Sequence, residues 1–71
     1  MGKSVITNNI RLLRFENGEM SQAELAKRVG VTRQTILALE AQKYSPSLEL
    51  AFRIAVAFGR PLEYIFQFNQ K

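Results

Sequence analysis

The chain has 71 residues and a formal net charge of +4 at pH 7, so it is long enough for one small domain and too short for two hydrophobic cores. It contains no cysteine, histidine or aspartate, which excludes disulfides, zinc sites built on cysteine and histidine, and the usual catalytic triads and paired aspartates. These absences predict a binding module that needs no metal or cofactor rather than an enzyme. The excess of basic over acidic residues favours a polyanion as the binding partner.

The chain shows no secretory signal and no apolar run long enough to span a membrane. We therefore expect a cytoplasmic protein without a membrane partner. No small-molecule site is evident in the sequence.

Cap residues divide the chain into short helices. Thr7 or Asn8 is expected to cap a first helix that places Ile6, Ile10 and Leu13 on one face. The first helix therefore contributes an apolar side to the core.

The second helix has the clearest local signal. Ser21 and Glu24 have the spacing of a capping box, in which each side chain accepts a hydrogen bond from the other residue's backbone N–H. Met20 and Leu25 flank this pair at the positions of a hydrophobic staple. A helix is predicted to begin at Ser21.

A tight turn and a third helix follow. Gly30 permits the positive φ that such a turn requires, and Thr32 caps a helix that runs to about Ala41. Ile36 and Leu39 lie on the inner face of that helix. The two helices and their turn fit a helix-turn-helix motif, although hairpins with a glycine turn also occur in ordinary bundles.

The fourth helix is strongly apolar. We expect Pro46 in its first turn, and between Leu48 and Phe58 only Glu49 and Arg53 are charged. This composition predicts a central helix with neighbours on most sides.

The last segment combines a short helix with strand-like alternation. The helix is predicted over residues 62–66, and Val5 and Ile6 are expected to pair with Gln67 and Phe68 in a small terminal sheet.

Residues 21–36, which read SQAELAKRVGVTRQTI, resemble the Cro/C1-type (Xre) helix-turn-helix family of phage and bacterial repressors. The resemblance extends through residues 43–48 and 61–66, and it is greatest to small stand-alone members of the cytolysin-operon repressor type. It implies an all-α, lambda-repressor-like DNA-binding domain of five helices over residues 1–71, with the helix-turn-helix at about 21–41.

The resemblance makes the third helix the recognition helix, which lies in the major groove of double-stranded DNA. The family pattern implies base contacts from Gln22, Arg33, Gln34, Thr35, Leu37 and Ala38. Arg33 suits guanine and Gln34 suits adenine, because each can form two hydrogen bonds with that base.

Leu37 and Ala38 depart from the family pattern, because relatives often carry polar side chains there. Leu37 can either pack on a thymine methyl group, favouring A·T pairs, or complete the core. The small Ala38 side chain permits close approach to DNA.

Residues that flank the recognition helix are expected to bind phosphates. They are Asn9, Arg11, Thr32, Lys43 and Tyr44. Lys43 is the strongest candidate, whereas Arg11 fits a solvated surface charge equally well. Arg14 and Glu40 match a family salt bridge that positions the recognition helix.

The C-terminal region, residues 61–71, has more apolar side chains than a core of this size needs. We expect Tyr64, Ile65, Phe66 and Phe68 to form a homodimer interface, as the resemblance also implies. The alternative is that Ile65 and Phe66 belong to the core and that Phe68 is frayed.

The predicted function is that of a sequence-specific transcriptional regulator, a repressor that binds a palindromic operator as a homodimer. The alternative is an antitoxin-like or other protein-binding helical module. Steep salt dependence of DNA binding would distinguish the two.

Overall fold

A computed structural model describes residues 6–68. Within that range the fold is mostly helical, with five short helices and one small sheet, which confirms the predicted fold class. The elements follow in the order β1 Ile6–Asn8, α1 Ile10–Glu16, α2 Gln22–Val29, α3 Arg33–Glu40, α4 Leu48–Phe58, α5 Leu62–Ile65 and β2 Phe66–Phe68.

The core of the described chain is entirely apolar, and all five helices contribute to it. Its buried side chains are those of Ile10, Leu13, Met20, Leu25, Ala26, Val29, Ile36, Leu39, Leu50, Ala51, Ile54, Ala55, Phe58 and Ile65. Among residues 6–68, no helix is long and apolar enough to cross a membrane, and no group of acidic, histidine or cysteine side chains could hold a metal ion.

The start of the chain differs from the prediction. Ile6 and Thr7 lie in β1 rather than in or beside the first helix, and Asn9 occupies the N-cap position. Asn8 still serves the helix start, because its Oδ1 accepts a hydrogen bond of 3.2 Å from the N–H of Ile10. The strand forms because its backbone groups find partners in β2, which lies about sixty residues away in sequence.

β1 and β2 form an antiparallel pair that joins the two ends of the described chain. Ile6 pairs with Phe68, Thr7 with Gln67 and Asn8 with Phe66. The predicted terminal sheet is thus present, although Val5 lies outside the described residues. The last helix ends at Ile65, one residue earlier than predicted, because Phe66 is extended and begins β2.

α2 begins at the predicted place. Ser21 Oγ accepts a hydrogen bond of 3.0 Å from the N–H of Glu24, and both Met20 and Leu25 are buried. The Glu24 carboxylate, which was predicted to reach back to Ser21, instead lies 3.0 Å from Arg28. A full positive charge one turn away competes successfully with a neutral N–H for this carboxylate.

The turn between α2 and α3 requires its glycine. Gly30 has φ +78°, and its N–H and that of Val31 both donate to the carbonyl of Ala26. A Cβ at position 30 would lie 3.0 Å from Nη1 of Arg53, which itself donates to the carbonyl of Val29. The positive φ is what favours glycine here, since the flexible end of Arg53 could move to admit a Cβ, and the short turn packs α3 against α2.

α4 differs from the prediction in two respects. Ser47 is its N-cap and accepts a hydrogen bond of 3.1 Å from the N–H of Leu50, so Pro46 precedes the helix instead of lying in its first turn. The helix is also not enclosed on most sides: Leu48, Phe52 and Val56 are 69%, 52% and 81% exposed. These three residues recur every four positions and form one exposed apolar stripe, because so short a chain has too few elements to cover every side of α4.

Candidate nucleic-acid interface

The N-terminal turn of α3 presents two free polar side chains. Thr32 caps the helix, and its Oγ1 lies 3.3 Å from the N–H of Thr35 and 3.2 Å from the Thr35 hydroxyl. Arg33 and Gln34 are exposed, and neither side chain has an ion-pair or hydrogen-bond partner within residues 6–68. The cap thus satisfies the helix end without using either side chain.

The outward face of α3 continues through Leu37 and Ala38. Leu37 is 40% exposed and lies outside the core cluster, one turn beyond Arg33 on the same side of the helix. Ala38 is half-buried one turn beyond Gln34. The inner positions belong to Ile36 and Leu39, so the core does not require the side chain of Leu37.

Arg14 and Glu40 form the salt bridge that the resemblance implied. Arg14 Nε lies 2.7 Å from Glu40 Oε2, and the two side chains are only 15% and 11% exposed. Arg14 also donates to the carbonyl of Met20 at 2.9 Å. The amide of Gln22 joins the pair by donating to Glu40 Oε1 at 3.0 Å. These contacts connect α1, the start of α2 and the end of α3, and they give Gln22 a structural contact that its sequence position did not reveal.

The ion pairs show which basic side chains already have an acidic partner. Arg28 pairs with Glu24 and Arg53 pairs with Glu49, both one helical turn apart. Among the described residues, the exposed cations outside any ion pair are Arg11, Lys27, Arg33, Lys43 and Arg60, of which Arg60 lies over the Tyr64 ring. Arg11, Arg33 and Lys43, the three basic residues predicted to contact DNA, therefore all remain candidates for that contact.

Residues predicted to bind phosphate lie at both ends of α3 and at the start of α1. Lys43 and Tyr44 are exposed just beyond α3, and Arg11 is exposed in the first turn of α1. Asn9 differs, because its Nδ2 donates to the carbonyl of Tyr64 at 2.9 Å and so joins α1 to α5. Asn8 brings these regions together, since its Nδ2 donates to the carbonyl of Leu39 at 2.8 Å.

The predicted dimer residues do not all reach the surface. Tyr64 and Phe68 are exposed, with Phe68 at 63%, and Phe66 is half-buried. Ile65 is fully buried, which corrects its assignment to the interface: its side chain fills the core beneath α5. Arg60 lies over the Tyr64 ring at 4.9 Å from the ring centroid.

Sequence reasoning missed Leu48 as a surface residue. Its side chain lines a groove of about 290 Å³ together with Ile6, Pro46, Ala51, Leu62 and Phe66. This groove continues the apolar surface of Phe66 toward α4. The uniform apolar composition of α4 concealed this, because no change of pattern distinguishes its exposed side.

Comparison with known proteins identifies the family. The helix-turn-helix family model matches residues 10–65 of the chain. An uncharacterized HTH-type transcriptional regulator from Methanothermobacter thermautotrophicus is 64% identical over 58 residues, which cover 80% of this chain and 83% of that relative.

Two solved structures share the fold. A candidate DNA-binding protein from Bacteroides fragilis superposes with a TM-score of 0.77 at 21% identity, covering 87% of this chain and 98% of that one. The hypothetical transcription factor NHTF from Neisseria gives a TM-score of 0.73 at 32% identity, covering 79% of this chain and 62% of that one. The family consists of DNA-binding regulators without enzymatic activity, which agrees with the prediction that this protein is not an enzyme. The chain belongs to the Cro/C1-type (Xre) helix-turn-helix family.

Proposed function

We propose that the protein is a transcriptional regulator that places α3 in the DNA major groove. The observation that carries this proposal is that Arg33 and Gln34 are exposed and have no partner within residues 6–68, on a helix whose opposite end is anchored. Free hydrogen-bonding groups on a rigid element are what direct recognition of base edges requires. The names of the similar proteins support the same role.

The side chains of the outward face define the bases that they suit. Arg33 matches the O6 and N7 acceptors of guanine, and Gln34 matches the donor and acceptor of adenine. Leu37, exposed beside Arg33, suits a thymine methyl group, and Ala38 permits close approach. Gln22 and Thr35 lie at the edge of this surface, and the side chain of each already makes a hydrogen bond within the protein.

Phosphate contacts on either side would fix the position of the domain on DNA. Lys43 is the strongest candidate, because it is an exposed cation immediately beyond α3. Arg11, Tyr44, Asn9 and Thr32 complete the proposed set. Each chain carries a net charge of +4, so two bound copies would present roughly twice that positive charge to the DNA.

A second copy of the chain is the proposed occupant of the C-terminal apolar surface, which consists of Tyr64, Phe66 and Phe68 with Leu48 and the groove beside it. A two-fold dimer would present two copies of α3 to a palindromic operator, whose half-sites lie about 34 Å apart. Sedimentation at micromolar concentration tests this: a chain that stays monomeric while it binds its operator would contradict the dimer. Repression by covering a promoter, in the cytoplasm, is the simplest action for so small a regulator.

A protein-binding module is the second candidate function. The stripe of Leu48, Phe52 and Val56 favours it, since exposed apolar surface of this kind often contacts other proteins. The two functions differ in their response to salt. DNA binding weakens steeply as salt rises, because bound counterions are released from the DNA, whereas an apolar protein contact does not.

Selection of bound sites from random double-stranded DNA tests the primary proposal. We expect a defined sequence to be enriched and its affinity to fall steeply between low and physiological salt. The double variant Arg33→Ala/Gln34→Ala should fold normally and lose the sequence preference. Arg28→Ala serves as a control, because it removes an equal charge from a residue that pairs with Glu24. Equal loss of preference in both variants, or no enriched sequence, would refute the proposal.

A further inference from the structure

Asn8 connects the terminal sheet to the recognition helix. It belongs to β1, where it pairs with Phe66 of β2, and its side-chain Nδ2 donates to the carbonyl of Leu39 at 2.8 Å. Its Oδ1 accepts the N–H of Ile10 at 3.2 Å, so both ends of the amide are engaged. The side chain is therefore held in one orientation between β1, α1 and α3.

The carbonyl that Asn8 contacts lies at the end of α3. Leu39 occupies the last turn, and its carbonyl also accepts a hydrogen bond of 3.0 Å from the N–H of Gln42. The next residue, Glu40, is bound by Arg14 from α1 and Gln22 from α2. Asn8 thus supplies a hydrogen bond between this end of α3 and the sheet, on whose other strand Phe66 and Phe68 belong to the proposed dimer surface.

We propose that Asn8 is a positioning residue for DNA recognition, which fixes the angle of α3 relative to the terminal sheet. This inference rests on the proposed function. Through the pairing of Asn8 with Phe66, the sheet that carries the proposed dimer surface also determines where Arg33 and Gln34 meet the bases. Asn8 itself makes no contact with DNA in this role.

The length of α3 makes its angle important. Eight residues span about 12 Å, so a tilt of about 5° at the C-terminal end displaces the N-terminal end by roughly 1 Å. Direct hydrogen bonds to bases tolerate about half that displacement. Loss of one anchoring contact can therefore reduce sequence discrimination without removing any group that touches DNA.

The test compares Asn8→Ser with the matched control Asn17→Ser. Asn17, the C-cap of α1, also donates its Nδ2 to a last-turn carbonyl, that of Leu13 in the same helix, at 2.8 Å. Serine at position 8 retains an oxygen for the N–H of Ile10 but is too short to reach Leu39. Asn8→Asp and Asn17→Asp form a second pair, in which shape is retained and the donor is lost, for use if a serine variant fails to fold.

Two measurements decide the matter. The ratio of affinities for the selected operator and random DNA should fall about fivefold in Asn8→Ser, which corresponds to one net hydrogen bond, and stay within about twofold in Asn17→Ser. In the free protein, the backbone amide NMR signals of α3 should shift in the Asn8 variant and not in the control.

An unchanged ratio in Asn8→Ser, equal weakening on operator and random DNA, or unshifted α3 signals would overturn the role of Asn8 while leaving the proposed function in place. A wild-type protein that shows no salt-dependent DNA binding would instead overturn both. The control variant separates a loss of stability from a loss of positioning, because both serine variants remove a similar hydrogen bond.

Discussion

The two ends of α3 differ in how they are held. At the C-terminal end, Glu40 receives hydrogen bonds from α1 and α2, and the Leu39 carbonyl receives one from β1. At the N-terminal end, the Thr32 hydroxyl bonds to Thr35 within the same helical turn, and Arg33 and Gln34 have no partner among the described residues. Anchoring and the proposed recognition are thus separated along one helix, so that we expect side chains at the free end to change without loss of the fold.

The largest expected effect is at the anchored end. Glu40→Ala removes the partner of the mostly buried Arg14 and one partner of Gln22, and it should lower the free energy of unfolding by about 3 kcal/mol. Chemical denaturation measures this. Glu49→Ala is the control, since its pair with Arg53 is exposed and should contribute only a few tenths of a kcal/mol. Similar losses in the two variants would contradict the anchoring role.

At the free end of α3, Arg33→Ala should weaken DNA binding and leave the stability of the fold almost unchanged. We expect a loss of about 1–3 kcal/mol in binding to the selected operator, confined to one base-pair position, with the free energy of unfolding changed by less than about 0.5 kcal/mol. Binding to a library of operator variants and a denaturation curve measure the two quantities. Substantial unfolding would show that Arg33 supports the fold.

Lys43 lies just beyond the anchored end of α3. Lys43→Ala should weaken binding to all DNA sequences alike, and the slope of log K against log salt concentration should become shallower by about one. Salt titrations on operator and random DNA measure this. If Lys43→Ala and Arg33→Ala gave the same profile across the operator library, the division between phosphate and base contacts would be wrong.

The smallest effect concerns the backbone at the anchored end. Gln42 follows the last turn of α3 with φ +59°, a conformation that glycine adopts at lower cost. Gln42→Gly should therefore raise the free energy of unfolding by roughly 0.5 kcal/mol. Ala41→Gly is the matched control, because Ala41 has φ −82° and glycine there should destabilise the protein. A destabilised Gln42→Gly would show that the side chain contributes more than its conformation costs.

Local sequence determined the helix-turn-helix. Ser21, Gly30 and Thr32 act on their immediate neighbours, through a cap bond three residues away or through their own φ, so their roles follow from spacing alone. The family resemblance added the pair of Arg14 and Glu40, whose separation of 26 residues no local pattern shows. A contact between residues close in sequence can be predicted from spacing, because its two partners already lie near each other in the unfolded chain.

Tertiary structure decided the rest. The sequence placed Ile6 both on the face of the first helix and in a terminal sheet, and the strand formed because β2 supplied hydrogen bonds that no nearby residue offers. Ile65 was buried and Leu48 exposed because packing, rather than hydrophobicity, determines which apolar side chains a small core can cover. Asn8 acquired its contact with Leu39 only when the chain closed on itself. Seventy-one residues with a net charge of +4 and no cysteine, histidine or aspartate already indicated a binding domain, and folding decided which of its side chains are exposed.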